Sequence, residues 1–249
     1  MYIDRVKQMK YKGLVIGIGI VALWFASLVF LLQLNIESMP GFLIPAAIIF
    51  QTFLYVGLFI TTHDAMHGVI APQHKKLNDF IGATAIFLYA LFHYPRVHEK
   101  HWDHHGHPAS EEDPDYHDGE HKSFPAWYGR FMFHYVTWRQ LLGMAIAFNV
   151  LYHLANVPLA NLALFWVAPS LLSTLQLFYF GTYLPHKEPP SGYNDEHCAT
   201  TNDFPVFLSF ITCYHFGYHW EHHAYPYVPW WMLPKVRKQV IEGKEIKTA

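Results

Sequence analysis

The chain has 249 residues, 52% of them hydrophobic and 18% aromatic but only 14% charged, against about 25% charged in ordinary soluble domains. A formal net charge of −2, with the basic residues gathered toward the termini, leaves no nucleic-acid footprint. Two cysteines, Cys198 and Cys213, without a C-x-x-C spacing, argue against a disulfide framework or a thiolate metal site.

This is the composition of a membrane protein, and no repeat or low-complexity linker divides residues 1–249 into more than one domain. Arg5, Lys7, Lys10 and Lys12 precede the apolar run Leu14 to Leu34. At about 21 residues that run exceeds a signal-peptide core and lacks a small-x-small cleavage site, which predicts a retained spanning helix. After the turn residues Met39-Pro40-Gly41, a second stretch, Phe42 to Thr62, leads into His63-Asp64-Ala65-Met66-His67. A spacing of four puts His63 and His67 on one helix face, one turn apart.

The next apolar stretch, Phe80 to Tyr94, would reach only about 22 Å as a helix, too short to cross. Crossing would also strand His63 and His67 on the face opposite to the cluster that follows, His101-Trp102-Asp103-His104-His105. The acidic run Glu111-Glu112-Asp113-Pro114-Asp115, with Asp118 and Glu120, reads as a solvated loop. Leu141 to Val157 and Leu159 to Leu184, separated at Val157-Pro158, form a second spanning pair. The last of these ends in Phe180-Gly181-Thr182-Tyr183-Leu184-Pro185-His186, bringing His186 to the depth of His63 and His67. Phe204 to Cys213 is expected at the interface, returning the chain to a third cluster, His219-Trp220-Glu221-His222-His223.

The fold expected is an all-α integral membrane protein: four transmembrane helices in two hairpins with a cytoplasmic histidine-rich cap and interfacial helices. Lys75, Lys76, Lys235, Arg237, Lys238, Lys244, Lys247 and the N-terminal basic group all fall on the histidine side. By the positive-inside rule that side, with both termini and the metal site, is cytoplasmic.

Eight imidazoles in three clusters exceed what one ion can coordinate, so the spacing points to two metal ions sharing a site. The candidate ligands are His63, His67, His101, His104, His105, His219, His222 and His223, with His186 as a ninth. Imidazole suits iron, zinc, copper and nickel alike. The H-E-x-x-H motif of zinc hydrolases is absent, and the ligand surplus in a lipid setting favours redox chemistry at iron. His98 and His215 each stand one helical turn before a cluster histidine and read as supporting rather than ligating. Asp64, Asp103 and Glu221 either orient imidazole rings through their second nitrogen or serve as structural or solvated carboxylates. A metal transporter should carry ionisable ligands at mid-membrane, and a haem carrier needs only paired axial ligands; neither describes clusters at helix ends and in loops.

The three clusters and their spanning hairpins resemble the membrane fatty acid desaturase and hydroxylase superfamily over nearly the whole chain, from about Leu14 to Trp231. More narrowly, His63 to Gly68, His104-His105-Gly106-His107-Pro108, Phe180 to His186 and His219-Trp220-Glu221-His222-His223-Ala224-Tyr225-Pro226 resemble the bacterial β-carotene ketolases. Some fatty acid desaturases carry an amide-bearing residue near the helix-borne histidine, where Thr182 stands here. The resemblance implies two iron ions (Fe2+), O2 as co-substrate, and oxygenation of the allylic C4 of a β-ionone ring. A second oxidation at the same carbon gives a gem-diol that loses water to a ketone. The implied substrate is a carotenoid taken from the lipid bilayer, β-carotene passing through echinenone to canthaxanthin and zeaxanthin toward astaxanthin, in a bacterial inner membrane. No Rossmann fingerprint, flavin motif or cysteine cluster is present to carry electrons, so a separate donor of ferredoxin type is implied. Carotenoid 3-hydroxylation and fatty acyl desaturation or hydroxylation are the enzymatic alternatives. Phe59, Leu88, Phe92, Phe178, Tyr179 and Phe216 are candidates for an apolar substrate groove.

Overall fold

A computed structural model describes residues 11–244 and 246; Arg5, Lys7, Lys10 and Lys247, used above for orientation, lie outside them. The described residues are helical, with no strand among them. Helix α1 (Lys12–Leu32) and helix α2 (Leu43–Met66) pack antiparallel. Gly13 sits against the carbonyls of Val69 and Ile70 beyond the end of α2, and Trp24 meets Tyr55 edge-on with ring centroids 5.3 Å apart. The start of α1 therefore lies at the same end of the molecule as His63 and His67.

Helix α3 (Lys75–Ala90) runs back along α2. Asn78 Nδ2 donates to the Ala65 carbonyl at 2.7 Å, and the Thr62 hydroxyl donates to the Leu58 and Gly82 carbonyls, each at 3.1 Å. The two helices approach so closely at Gly82 that a Cβ there would stand 2.6 Å from the Ala65 Cβ. Leu91, in the left-handed region at φ 57°, ends α3. Helix α4 (Tyr94–Gly106) begins after it, bent by 100° from α3, with Pro95 in its first turn, where the missing N–H costs nothing. The bend returns the second histidine cluster to the end of α2.

Among the described residues, three helices are long and apolar enough to cross a bilayer: α1, α2 and the 28-residue Leu159–His186. The fourth expected span, Leu141 to Val157, falls on the 16-residue helix Trp138–His153, which reaches only about 24 Å. Helix α5 (Phe124–Tyr135), then α6 (Trp138–His153), run in succession antiparallel to α7 (Leu159–His186). Phe124 packs on Tyr183 at 5.2 Å, the Tyr128 hydroxyl bonds Thr174 at 2.6 Å, and Phe148 stacks on Trp166 at 6.2 Å. The capping box at Thr137, whose side chain accepts from the Gln140 N–H, restarts the helix after the break.

Two stretches of α7, Leu162–Val167 and Phe178–Tyr183, are wound as π-helix. Such widened turns are rare and concentrate at functional sites. The second lies just ahead of His186. Helix α8 (Val206–Cys213) exposes Val206, Phe207, Leu208 and Ile211, as a segment lying in an interface would. The six-residue α9 (His219–Ala224) follows, and then α10 (Leu233–Ile241).

Candidate metal centre

Each histidine cluster owes its geometry to helical spacing. His101, His104 and His105 on α4, and His219, His222 and His223 on α9, stand at i, i+3 and i+4 and share one face. Gly68, at φ 73°, stops α2 one residue after His67, a conformation glycine adopts without steric cost. On α7 the π turn delivers His186 to the same end, and Gly181 within that turn is forced: a Cβ there would lie 2.5 Å from the Phe216 ring. That ring in turn packs against His63 at 4.5 Å and His219 at 4.9 Å.

All nine candidate histidines come together, in two groups. His63, His67, His101, His105 and His222 form one, and His104, His186, His219 and His223 the other; within each group one ring nitrogen from every residue lies within 4.8 Å of all the rest. The groups adjoin, His105 stacking on His223 at 4.3 Å across them. In the first group the Nε2 atoms of His63 and His105 each stand 3.0 Å from His222 Nε2, and those of His67 and His101 are 2.6 Å apart. In the second, His223 Nε2 is 3.1 Å from both His104 Nε2 and His219 Nε2.

The second group carries its own test of whether a cation fits. His104 Nδ1–H donates to the Asp113 carboxylate at 2.9 and 3.1 Å, His186 Nδ1–H to the Cys198 carbonyl at 2.9 Å, and His219 Nδ1–H to the Phe216 carbonyl at 3.3 Å. With the proton fixed on Nδ1, each Nε2 turns a lone pair inward. One proton on His223 can satisfy His104 or His219, not both, and the buried His186 Nε2 has no hydrogen-bonding partner among the described residues. Converging lone pairs of this kind, cut off from water, repel unless a cation sits among them. Two nitrogens each about 2.1 Å from a shared ion, at right angles, stand about 3 Å apart, which is the spacing observed. Burial pulls His101, His219, His222 and His223 well below the ordinary histidine range, with neighbouring imidazoles adding to the effect, and His105 down to about 2. These rings stay neutral and available to a metal. Burial also acts to lower His104, but the Asp113 and Asp115 carboxylates outweigh it and hold that ring up at about 9, so with no cation present its Nε2 takes up a proton that a metal would displace, and the uncompensated lone pairs are those of His186 and His219.

Among the candidate orienting carboxylates, Asp103 is exposed. Asp64 accepts from the Trp230 N–H at 3.3 Å and lies 3.6 Å from His63 Nδ1. Glu221, fully buried, is turned away from the imidazoles toward the Thr201 hydroxyl and Arg237 Nη1, the latter at 3.0 Å, while Arg237 also holds Asp203 at 2.9 Å. The carboxylate that orients a cluster ring is Asp113, expected in a solvated loop but 1% exposed. It is locked there by the Ala109 and Asp115 N–H groups at 2.9 and 2.8 Å. Glu111, Glu112, Asp118 and Glu120 are exposed, so the loop is solvated on one side only. The sequence signal for Asp113 was its place nine residues after His104 in a chain so poor in charge. His98 and His215 stay outside both groups: His98 packs between Tyr94 and Trp102, and His215 bonds Ser209 Oγ at 3.2 Å and stacks on Tyr218.

An apolar cavity lies against this centre, walled by His63, His101, His104 and His219 together with Phe59, Phe92 and Phe216. It adjoins a groove between α6 and α7 through the shared residues Tyr89, Phe92, Met132 and Thr174. Of the six groove candidates, Phe59, Phe92 and Phe216 line the cavity. Leu88 packs on the main core, Phe178 is buried beside Trp127 and Tyr116, and Tyr179 is partly exposed.

This two-part histidine site on an all-helical apolar frame defines a class of protein, and sequence comparison agrees. The profile described as fatty acid desaturase matches residues 39–149 and 134–244, and the chain belongs to the fatty acid desaturase family. Within it, the chain is 44% identical to a zeaxanthin 4-ketolase of Chlamydomonas reinhardtii, across 98% of this chain and 57% of that protein. It is 48% identical to a beta-carotene 4-ketolase of Protosiphon botryoides, across 75% of this chain and 49% of that one. With a beta-carotene ketolase of Paracoccus sp. (strain N81106 / MBIC 01143) it shares 38% identity across 90% of this chain and 92% of the relative. The chain thus spans roughly half the length of the first two relatives and nearly all of the third.

Proposed function

We propose that this protein is a diiron membrane oxygenase that converts the C4 methylene of a β-ionone ring into a ketone, acting on β-carotene and on 3-hydroxylated rings such as those of zeaxanthin. The observation that carries the proposal is an apolar cavity walled in part by two adjoining groups of five and four imidazoles, in a chain whose relatives bear ketolase names. His63, His67, His101, His105 and His222 would hold one iron, and His104, His186, His219 and His223 the other. Iron bound there supplies activation of O2 and removal of hydrogen from C4, with electrons from a separate donor of ferredoxin type.

The chain's own residues do the rest. Asp113, the Cys198 carbonyl and the Phe216 carbonyl hold the tautomers of three rings, and the cavity wall excludes water and admits an aliphatic ring end-on. The membrane arrangement proposed has four crossings, α1, α2, α5 with α6, and α7, with α3 and α4 forming a re-entrant pair and the histidine face cytoplasmic in a bacterial inner membrane. The test is chromatography with mass analysis of pigments from β-carotene-producing bacteria expressing the chain. Echinenone and canthaxanthin are expected. Zeaxanthin would reassign the chain to 3-hydroxylation, and unchanged β-carotene with well-expressed protein would return the substrate to the acyl lipids.

A further inference from the structure

The cavity wall carries one carboxylate among its described lining residues, Asp115, and beside it the hydroxyl of Tyr135, which donates to Asp115 Oδ1 at 2.5 Å. Both residues face the same space as His63, His101, His104 and His219, in a wall otherwise built largely of Phe, Met, Ile, Leu and Val side chains. A hydrocarbon ring makes no use of a carboxylate, and an apolar residue would line such a cavity at less cost. The fold nevertheless fixes Asp115 there. Its N–H donates to Asp113, its carbonyl accepts from Trp127 Nε1 at 2.7 Å, and Trp127 is 1% exposed. Asp115 is in no ion pair among the described residues, and Tyr135 occupies one of its two oxygens, leaving Oδ2 with capacity to accept.

We propose that Asp115, positioned by Tyr135, is the acceptor that holds the alcohol formed by the first oxidation, so that the second oxidation strikes the same carbon before the ring withdraws. The inference rests on the ketolase reading and deepens it. The first cycle replaces a C4–H bond by C4–OH, consuming O2, two electrons from the external donor and two protons, and releasing one water. The second repeats that stoichiometry on the remaining C4–H bond, and the gem-diol then breaks one C–O bond and one O–H bond to leave as water and ketone. Between the two cycles the ring bears a hydroxyl that an all-apolar cavity would leave unpaired, favouring escape. A carboxylate oxygen accepting from that hydroxyl keeps the ring seated and turns its remaining C4–H toward the imidazole groups.

The experiment compares wild-type protein with Asp115→Asn and Tyr135→Phe in β-carotene-producing bacteria and reads the ratio of 4-hydroxy to 4-keto carotenoid among all oxidised products, with iron content measured on each purified variant. In Asp115→Asn the Tyr135 hydroxyl occupies the amide oxygen and an amide N–H donor replaces the charged acceptor, which is expected to raise that ratio about tenfold or more, and Tyr135→Phe, which keeps the carboxylate, by less. A fall in total oxidised product at constant ratio, with iron retained, overturns the proposal and makes the pair a structural tie between the acidic loop and α5. A wild-type ratio at wild-type turnover overturns it as well. If Asp115→Asn fails to accumulate, Tyr135→Phe decides by the same two criteria. Absence of any C4-oxygenated pigment from the wild type would instead sink the ketolase reading itself, so the two failures are distinct.

Discussion

At the residue scale, the nine imidazoles are not equivalent in what supports them. Replacing His63, His104, His105, His222 or His223 by Ala removes a nitrogen from a group of four or five and is expected to abolish oxygenation while membrane insertion persists, checked by pigment analysis alongside immunoblots of the membrane fraction. Asp113→Ala leaves every candidate ligand in place but frees His104 Nδ1 from its carboxylate. Loss of such an orienting partner commonly costs 10- to 100-fold in metal affinity or activity. Iron titration of the purified variant, followed by pigment yield, measures it. Normal iron binding in Asp113→Ala would show that helical spacing alone orients the ring.

At the element scale, the histidine centre depends on helices meeting at positions with no slack. Gly181→Ala would push a methyl group into the Phe216 ring, itself pressed between His63 and His219. Overpacking of this kind costs about 1–3 kcal/mol; thermal unfolding in detergent should show a lower midpoint, with pigment yield falling more steeply than stability. Arg237→Ala should be harsher. It leaves Glu221 fully buried without its guanidinium, where breaking such a pair costs about 3–5 kcal/mol, and α9 carries three of the nine histidines. Arg237→Lys, retaining charge without the forked geometry, should fall between the two in the same melting experiment.

These elements also mark where sequence reasoning succeeds and where it stops. The clusters at i, i+3 and i+4 were legible because helical periodicity alone puts such residues on one face, and His186 because it ends a long apolar run. Their convergence across α2, α4, α7 and α9 followed only from requiring one site on one side. The break between α5 and α6 was not legible: Tyr135 to Trp138 contains neither Gly nor Pro, and the restart depends on the Thr137 cap and the Gln140 side chain, which donates to the Ala90 carbonyl at 2.5 Å. Nor was the inward turn of Asp113 and Asp115. An acidic run normally reads as solvent-facing, and only the backbone turn after α4 folds two of its carboxylates inward. The π turns of α7 left no trace in an apolar sequence that suits α and π winding equally.

At the scale of the whole molecule, four segments from distant parts of the chain, α2, α4, α7 and α9, meet at the two imidazole groups. Ions that bind the folded arrangement and not the unfolded chain stabilise it by mass action, about 2.7 kcal/mol at a hundredfold excess over the dissociation constant. The detergent-solubilised protein should therefore melt several degrees lower after chelation and recover on adding Fe2+ anaerobically. An unchanged midpoint would mean that the helices hold the nine rings together unaided.

His63, His101, His104 and His219 form part of the cavity wall. On the ketolase reading, a stiff two-ended polyene would seat one ring beside them while its other end trails toward the bilayer. Modification of a symmetrical substrate would then be distributive: the molecule would have to back out, diffuse in the lipid and re-enter reversed before its second ring is touched. A time course begun with excess β-carotene should show the singly ketonised species rise first and decline only as the parent hydrocarbon is depleted, and the final blend should depend on the ratio of enzyme to pigment. Lipid fluidity would thereby become a determinant of product composition, acting through the turnaround and not through the chemistry.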